Sequence, residues 1–339
     1  ALGKAAEPLD GWSSHLEPEK TTVWKTKFYN GACVNMIGTD SPNFDYPPEE
    51  PVRFPYLISA QKIADTLSCH SKDSYEYYSQ CIGSMKIGVL ARRVLSRDLC
   101  RQYRAQDDVI WKGTPTTKVY ALDAAYGGDR CVGGGAEFGE DVEGNQVLSF
   151  FEPRIIPVLV GTGEEPEDQI ARAVKADCNT LGIPPENMGH DATGRGSLGT
   201  ALARHWSAKT NPVEFGGAPT TRPVSLDIFI TDPKTKLQRL KLCHEHYDRF
   251  VTELWFSVRY GVEAGQIRNL PEEAIEEFCL RKWDEVRGKK SVEPKNGTAT
   301  KPGMKQRVGR SPDMGDWASL IVEMARRKGF QVKKLANAE

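Results

Sequence analysis

Apolar residues along this chain switch between a two-residue and a three-to-four-residue spacing, and the switches outline an α/β protein. Lys118–Ala124 (KVYALDA) reads as a buried strand, and Arg130–Glu137 and Gln146–Glu152 read as two more. A Gly127-Gly128 turn and the Gly-containing Asp141–Asn145 segment separate them, as hairpins require. Pro166–Leu181 then changes to helical spacing, with Ile170, Val174, Cys178 and Leu181 on one face, and Pro184-Pro185 stops it. A short strand ends at Asp191, Ser197–Trp206 reads as a helix, and Pro212–Phe215 as a strand. From Leu237 to Val258 the positions Leu237, Leu240, Cys243, Tyr247, Phe250, Leu254 and Val258 keep helical spacing, which predicts one long amphipathic helix with an aromatic-rich core face. Pro271–Leu280 continues as a shorter helix, and Gly288–Gly309 is polar and rich in glycine and lysine. Ser311-Pro312-Asp313 opens the last helix, with serine expected at the cap, proline at the first position and acid in the first turn. Three hairpin-connected strands followed by alternating helices and strands predict an α/β fold with a mixed central sheet flanked by helices.

The first 110 residues have a different texture. Thr22–Ile37 reads as one or two strands, Gly38–Pro55 is turn-rich, and short helical patterns follow at Ser59–Leu67 and Asp73–Cys81. A basic patch at Arg92, Arg93 and Arg97 comes next. The expected division is a smaller linker region over 1–110 and the main domain over 111–339. A chain of 339 residues has room for both.

Composition narrows the class. Hydrophobic residues at 39% and charged residues at 27% match an ordinary soluble globular protein. No apolar run approaches the roughly 20 residues of a bilayer span. The first 20 residues lack the plan of a secretion signal, so an intracellular, membrane-free location is expected. The eight cysteines are scattered without a CxxC pair and are expected as reduced thiols. Cys243-His244-Glu245-His246 has zinc-ligand chemistry, but in a helical pattern adjacent positions point in different directions, against a shared metal. The formal net charge of −1 does not announce a nucleic-acid partner. Its distribution is uneven: ten Lys and Arg residues fall between Arg281 and Arg310, opposed only by Asp284, Glu285 and Glu293. Within this stretch Lys289, Lys290, Lys301, Lys305, Arg307 and Arg310 are candidate phosphate contacts of a DNA-facing loop or hairpin, and a solvated loop is the plain alternative. Arg195 is a further candidate with the same alternative.

Three segments place an aspartate at a strand end or helix start: Leu122-Asp123-Ala124-Ala125-Tyr126-Gly127-Gly128-Asp129, Gly189-His190-Asp191-Ala192-Thr193-Gly194, and Ser311-Pro312-Asp313-Met314-Gly315-Asp316. Taken singly, each has a plain alternative: a satisfied buried acid for Asp123, a turn residue for Asp191 and a helix-dipole partner for Asp313. Taken together they suggest one carboxylate cluster, with Asp313 and Asp316 on the same helix face. Clustered carboxylates repel unless a cation compensates them. Their hard oxygens suit two divalent ions, Mg2+ or Mn2+, of the kind that catalyse in-line phosphoryl displacement.

In this order the motifs resemble the nuclease domain of phage terminase large subunits. The likeness is carried by strand-Asp with Gly-Gly-Asp beyond it, a later strand ending Asp191-Ala192-Thr193-Gly194-Arg195-Gly196, and Ser311-Pro312-Asp313 with Asp316 and Ala318 in the final helix. The intervening Glu253–Arg259 helix and the Gly265–Pro271 segment also resemble it, so the match runs over roughly 117–328. The resemblance implies a ribonuclease-H-like fold and an endonuclease that cuts concatemeric double-stranded viral DNA during genome packaging. Asp123, Asp191 and Asp316 would carry the metals, with Asp313 as a further ligand and Asp129 as a supporting acid. Trp317 departs from the pattern, where alanine is more usual. Ile37–Asn43 and 56–83 resemble the end of the packaging ATPase, yet no GxxxxGK[ST] phosphate loop occurs. The implied partners are double-stranded DNA, a packaging ATPase domain on a longer or separate chain, a small terminase subunit and the portal, in a bacterial host's cytoplasm. Other ribonuclease-H-like nucleases (resolvase or transposase type), an actin-like ATPase and a non-catalytic packaging module are the alternatives.

Overall fold

Alternation along the strands and close-packed glycines determine which side of the sheet receives each helix. The computed structural model describes residues 23–25, 31–34, 37–47, 50–69, 77, 81, 92–126, 128–159, 161, 163–192, 196–232, 236–298 and 302–334. The chain forms two compact units, 1–92 and 93–339. The division falls earlier than the expected 110, because 93–110 packs into the larger unit: Leu95, Cys100 and Ala105 join its core, and Leu270 N–H donates to the Ala105 carbonyl.

In the smaller unit β1 (Val23–Lys25) pairs antiparallel with β2 (Ala32–Val34). Two 3-10 turns follow, Gly38–Asp40 and Pro42–Asp45. The Asn43 amide clamps the next loop, donating to the carbonyls of Phe54 and Ile58 and accepting from Phe54 N–H. Helix α1 spans Ala60–Cys69. The helix expected over Asp73–Cys81 lies largely outside the described residues.

The larger unit opens with α2 (Arg97–Gln102), capped by the Ser96 hydroxyl. A meander follows: β3 (Thr117–Asp123), β4 (Val132–Glu140) and β5 (Gln146–Phe150), with β6 (Arg154–Ile155) beside β4. Asp141 closes the β4–β5 hairpin, its Oδ1 accepting from the N–H groups of Glu143 and Asn145, while Gly144 supplies the left-handed residue at φ +81°. Then come α3 (Pro166–Leu181), β7 (Met188–Asp191), α4 (Ser197–His205) and β8 (Asn211–Val213). A small hairpin of β9 (Phe229–Thr231) and β10 (Gln238–Leu240) leads to a short helix α5 (Cys243–His246) and to α6 (Phe250–Glu263). After β11 (Ile267–Arg268) and α7 (Glu272–Leu280), the hairpin β12 (Trp283–Val286) and β13 (Lys289–Val292) precedes α8 (Met304–Val308) and the last helix α9 (Asp313–Arg327).

The central sheet runs β11-β5-β4-β3-β7-β8. Its meander strands are antiparallel, while β7 and β8 run parallel to β3. This is the mixed central sheet flanked by helices that the sequence predicts. Along β3, Tyr120 and Leu122 point to the core shared with α3 and α4, and Val119 and Ala121 to the core shared with α6, α7 and α9. Among the described residues no helix is long and apolar enough to cross a membrane.

Helix α9 is the buried centre of the second layer, with Trp317, Leu320, Ile321 and Met324 fully enclosed. It approaches the sheet at two glycines. A Cβ on Gly134 would lie 2.8 Å from the Trp317 ring and 3.0 Å from the Pro153 backbone, and one on Gly189 would lie 2.5 Å from Met324 Sδ. The Trp317 indole donates to the Gly134 carbonyl at 3.3 Å and meets Phe150 edge-on at 5.6 Å. The tryptophan that crowds this helix start in sequence therefore anchors the helix to β4.

Two expectations need correction. The single helix over Leu237–Val258 is three pieces. Gln238–Leu240 pairs with β9, and Tyr247–Asp248 is drawn out of helical geometry to bond β13, Asp248 N–H donating to the Lys290 carbonyl at 3.0 Å. Pairing with distant segments overrode a periodicity that was locally sound. At the last helix, the N-cap position falls on Pro312, without a side-chain cap bond, one residue later than the expected serine. The zinc-like cluster disperses as anticipated: Cys243 faces Pro223 and Arg326, Glu245 binds Arg239, and His246 bonds the Tyr260 hydroxyl at 2.9 Å.

Gly134→Ala should lower the stability of the full chain by about 1–3 kcal/mol, because rigid ring and backbone atoms must move. Gly199→Ala in α4, where a Cβ meets nothing nearer than 3.9 Å, should instead raise it by about 0.5–1 kcal/mol. Urea unfolding of both variants checks the pair, and equal shifts would contradict the close approach.

Candidate active site

Strand register brings the first two acids together. Leu122 pairs with His190 on the neighbouring parallel strand, so Asp123 and Asp191 follow side by side at the carboxyl ends of β3 and β7. Asp123 shares the face of Val119 and Ala121, and Asp191 that of Gly189, so both turn towards α9. The first turn of α9 supplies Asp313 and Asp316, where the helix's unpaired N–H groups favour negative charge. Asp123, Asp313 and Asp316 are buried, at 6%, 2% and 5% exposure, and Asp191 is half-buried at the rim.

Burial, and then the charge of Asp316 with smaller contributions from Asp313 and Asp191, pushes the Asp123 carboxyl well above the usual carboxylate range. Lys295 opposes that shift. Its ammonium lies 3.3 Å from Asp316 Oδ2 and 3.6 Å from Asp313 Oδ1. Burial works against the ammonium, but Asp316, Asp123 and Asp313 together outweigh it and hold Lys295 protonated. The remaining oxygens meet fixed donors. Trp255 Nε1 donates to Asp316 Oδ1 at 2.9 Å, and Arg130 N–H donates to Asp313 Oδ2 at 3.2 Å. Asp313 Oδ1 is buried and takes no hydrogen bond.

Behind the acids, Glu277 of α7 accepts from Gly315 N–H at 2.7 Å and from Arg130 at 3.4 Å, tying α7 to the start of α9. Arg281 is 2% exposed, stacks over Trp255 at 4.6 Å, and leaves Nε without a hydrogen bond. In front of them opens a cleft of about 580 Å³ lined by Asp191, Asp316, Lys295, Arg281, Arg249 and the Gly216-Gly217 turn, among others.

The other sequence candidates lie apart from this cluster. Asp129 faces Lys305, 2.6 and 2.9 Å from its two oxygens, and that hydrogen-bonded pairing holds its carboxyl below the usual range. Arg307 is bound to Glu293 and the Leu280 carbonyl, and Arg310 to Glu273 and Glu276. Lys289 donates to the His244 carbonyl, and Lys290 lies 4.0 Å over the Trp283 ring. Arg195 and Lys301 lie outside the described residues. Sequence reasoning missed Lys295, Arg130, Trp255, Glu277 and Arg281 as site residues. Lys295 was one of ten cations in its stretch, and nothing in its spacing marked it out.

Among the described residues, no three His, Cys, Asp or Glu side chains are gathered around one point as a metal shell. The donor chemistry nonetheless fits a hard divalent ion: the cluster is all carboxylate oxygen, and one buried oxygen lacks a hydrogen bond.

No family model matches the chain, and no curated protein matches it. Among solved structures it is similar to the large terminase nuclease from thermophilic phage G20c, at 10% identity and a TM-score of 0.37, covering 68% of this chain and 98% of that one. It is also similar to the HK97 bacteriophage large terminase, at 9% identity and a TM-score of 0.39, covering 79% of this chain and 51% of that one. Likeness at this level assigns no activity.

The Glu277 carboxyl is pushed up to about 8, chiefly by burial, with Asp316 adding and Gly315 N–H, Arg310 and Arg130 opposing. Its folded value thus exceeds the unfolded one of about 4.3. The protonated form favours the fold, so this contribution is complete below the unfolded value and is lost as pH rises through about 8. In metal-free buffer, Glu277→Gln should remove up to about 1.4 kcal/mol per pH unit of that decline. Parallel stability–pH curves for variant and wild type would refute the assignment.

Proposed function

We propose that this chain is a metal-dependent endonuclease that hydrolyses phosphodiester bonds of double-stranded DNA. The observation that carries the reading is the meeting of two strand-end carboxylates with two from a helix N-terminus, buried behind an open cleft. Asp123, Asp191 and Asp316, with Asp313, would hold two divalent ions, Mg2+ or Mn2+, at the carboxyl ends of β3 and β7 and the start of α9. When bound, such ions supply Lewis acidity that activates water and stabilises the leaving oxygen of an in-line displacement. The chain's own part is to orient and to exclude water. Trp255 aims the Asp316 carboxylate, Arg130 and Glu277 secure the start of α9, and the Gly216-Gly217 lip leaves room for a phosphodiester backbone.

Lys289, Lys290, Lys301, Lys305, Arg307, Arg310 and Arg195 remain candidates for contact with the duplex. In this reading the ion pairs of Lys305, Arg307 and Arg310 exchange for phosphates, as counterions do when a duplex binds. The order of motifs along the chain further supports action on concatemeric viral DNA during packaging, beside an ATPase domain, a small terminase subunit and a portal in the host cytoplasm. On this reading 1–92 is the tail of that ATPase region.

Supercoiled plasmid incubated with Mg2+, Mn2+ or EDTA tests the activity. Metal-dependent nicking and linearisation should fall to background in Asp123→Asn and Asp191→Asn proteins that retain the wild-type circular dichroism. Trp255→Phe, which removes the bond that orients Asp316 together with part of the ring beneath Arg281, should lose about 10–100-fold. Cleavage that persists undiminished in Asp123→Asn would sink the assignment.

A further inference from the structure

Two arginines line the cleft with most of their hydrogen-bonding capacity unused. Arg281 ends α7, its N–H donating to the Glu277 carbonyl at 2.9 Å and its carbonyl accepting from Val94 N–H at 3.0 Å. Among the described residues its guanidinium donates only to Met304 Sδ, at 3.7 Å, and Nε is enclosed without a partner. With Nη1 turned to the sulfur and Nε shut in, Nη2 is the nitrogen left to the cleft. Burial pulls the guanidinium below the usual arginine range. Asp316, Glu293 and Glu277 oppose that shift as charges, and none of them accepts a hydrogen bond from it. A buried cation with unmet donors is costly until an acceptor completes it.

The neighbouring groups do not supply that acceptor. The Glu293 carboxylate already receives Lys282 N–H at 2.7 Å and the Arg307 guanidinium at 3.2 Å. Lys295 lines the same cleft, but Asp316, Asp123 and Asp313 together claim its ammonium.

Arg249 stands at the cleft's rim, its side chain 69% exposed. Its backbone is fixed: Thr252 N–H donates to its carbonyl at 3.1 Å, and the next two N–H groups, of Phe250 and Val251, bind the carbonyls of Gly217 and Phe215. Its Nε lies 3.7 Å from Asp248 Oδ2, beyond hydrogen-bond reach. The Asp248 oxygens instead accept from the hydroxyls of Thr252 and Ser291, at 2.7 Å each. The Gly216-Gly217 turn beside it carries no side chain to block approach.

We propose that Arg281 at the floor and Arg249 at the rim are the substrate-binding residues of this cleft. Each holds a backbone phosphate of the DNA strand whose scissile phosphate meets the acids. Arginine suits the task because its planar fork of N–H donors matches phosphate oxygens. The inference rests on the reading of the substrate as duplex DNA and assigns its contacts to these two residues, neither of which belongs to the lysine-rich run before α9.

Anisotropy of a fluorescein-labelled 20-base-pair duplex, titrated with the full chain in Ca2+ over a series of salt concentrations, tests this apart from cleavage. Each phosphate contact contributes about 0.9 to the slope of log affinity against log salt. Arg249→Ala and Arg281→Met should each lower the slope by about that amount and weaken binding about 10-fold. A structural role alone would leave the slope unmoved. Should Arg281→Met lose the wild-type circular dichroism, Arg281→Lys takes its place, with weaker binding at an unchanged slope expected. A wild-type slope in Arg249→Ala or folded Arg281→Met, or wild-type affinity in Arg281→Lys, would overturn the proposal. Metal-dependent plasmid cleavage by the wild type would still leave the nuclease reading standing in that case. No duplex binding by the wild type would overturn the DNA reading itself, and the proposal with it.

Discussion

Like charge withdrawn from water is the constraint around which the larger unit is arranged. Asp123, Asp313 and Asp316 are nearly inaccessible, and an isolated buried carboxylate carries a desolvation penalty of several kcal/mol. The fold meets that cost with groups drawn from widely separated parts of the chain. Arg130 comes from the β3–β4 connection, Trp255 from α6, Lys295 from the segment after β13, and the start of α9 brings its own dipole. Glu277 and Arg281 stand one step further back and are themselves buried, so the charged cluster extends through α7 into the core.

That cluster can exist only because α9 lies against the sheet without intervening side chains. Gly134 and Gly189 remove the Cβ atoms that would hold the helix away, and Trp317 fills the space this leaves on the β4 side. Packing and chemistry are thus coupled through one helix. Its apolar face closes the second core while its first turn presents two carboxylates to the strand ends.

The basic stretch before α9 shows how far local charge can mislead. Read along the chain it is a run of cations free to meet a polyanion. In the fold most of its described members already have partners: Lys305 with Asp129, Arg307 with Glu293, Arg310 with Glu273, and Lys295 with the acids. A net charge near zero is realised here by pairing inside the domain, and phosphate contact must compete with those pairs.

Elements that carry their own start and stop signals were legible in advance. Pro166–Leu181 has proline at its first position and a left-handed Gly182 at its end, and the meander strands are apolar runs, buried on both faces, bounded by marked turns. The strand-end position of Asp123 and Asp191, and the shared face of Asp313 and Asp316, followed from the same local rules. What the pattern could not contain was pairing at a distance. Tyr247 and Asp248 leave a sound helical period to bond β13, and Lys295 acquires its role only when its segment is sutured to Lys282 and to α8. By itself the sequence determined the three-strand meander, the helices that carry their own stops and the strand-end and helix-start places of the acids, because these depend on neighbours within a few residues. The tertiary structure alone decided which cations answer those acids, because that choice is made by contacts between separated segments, Lys295 with Asp316 at 21 residues and Arg130 with Asp313 at 183.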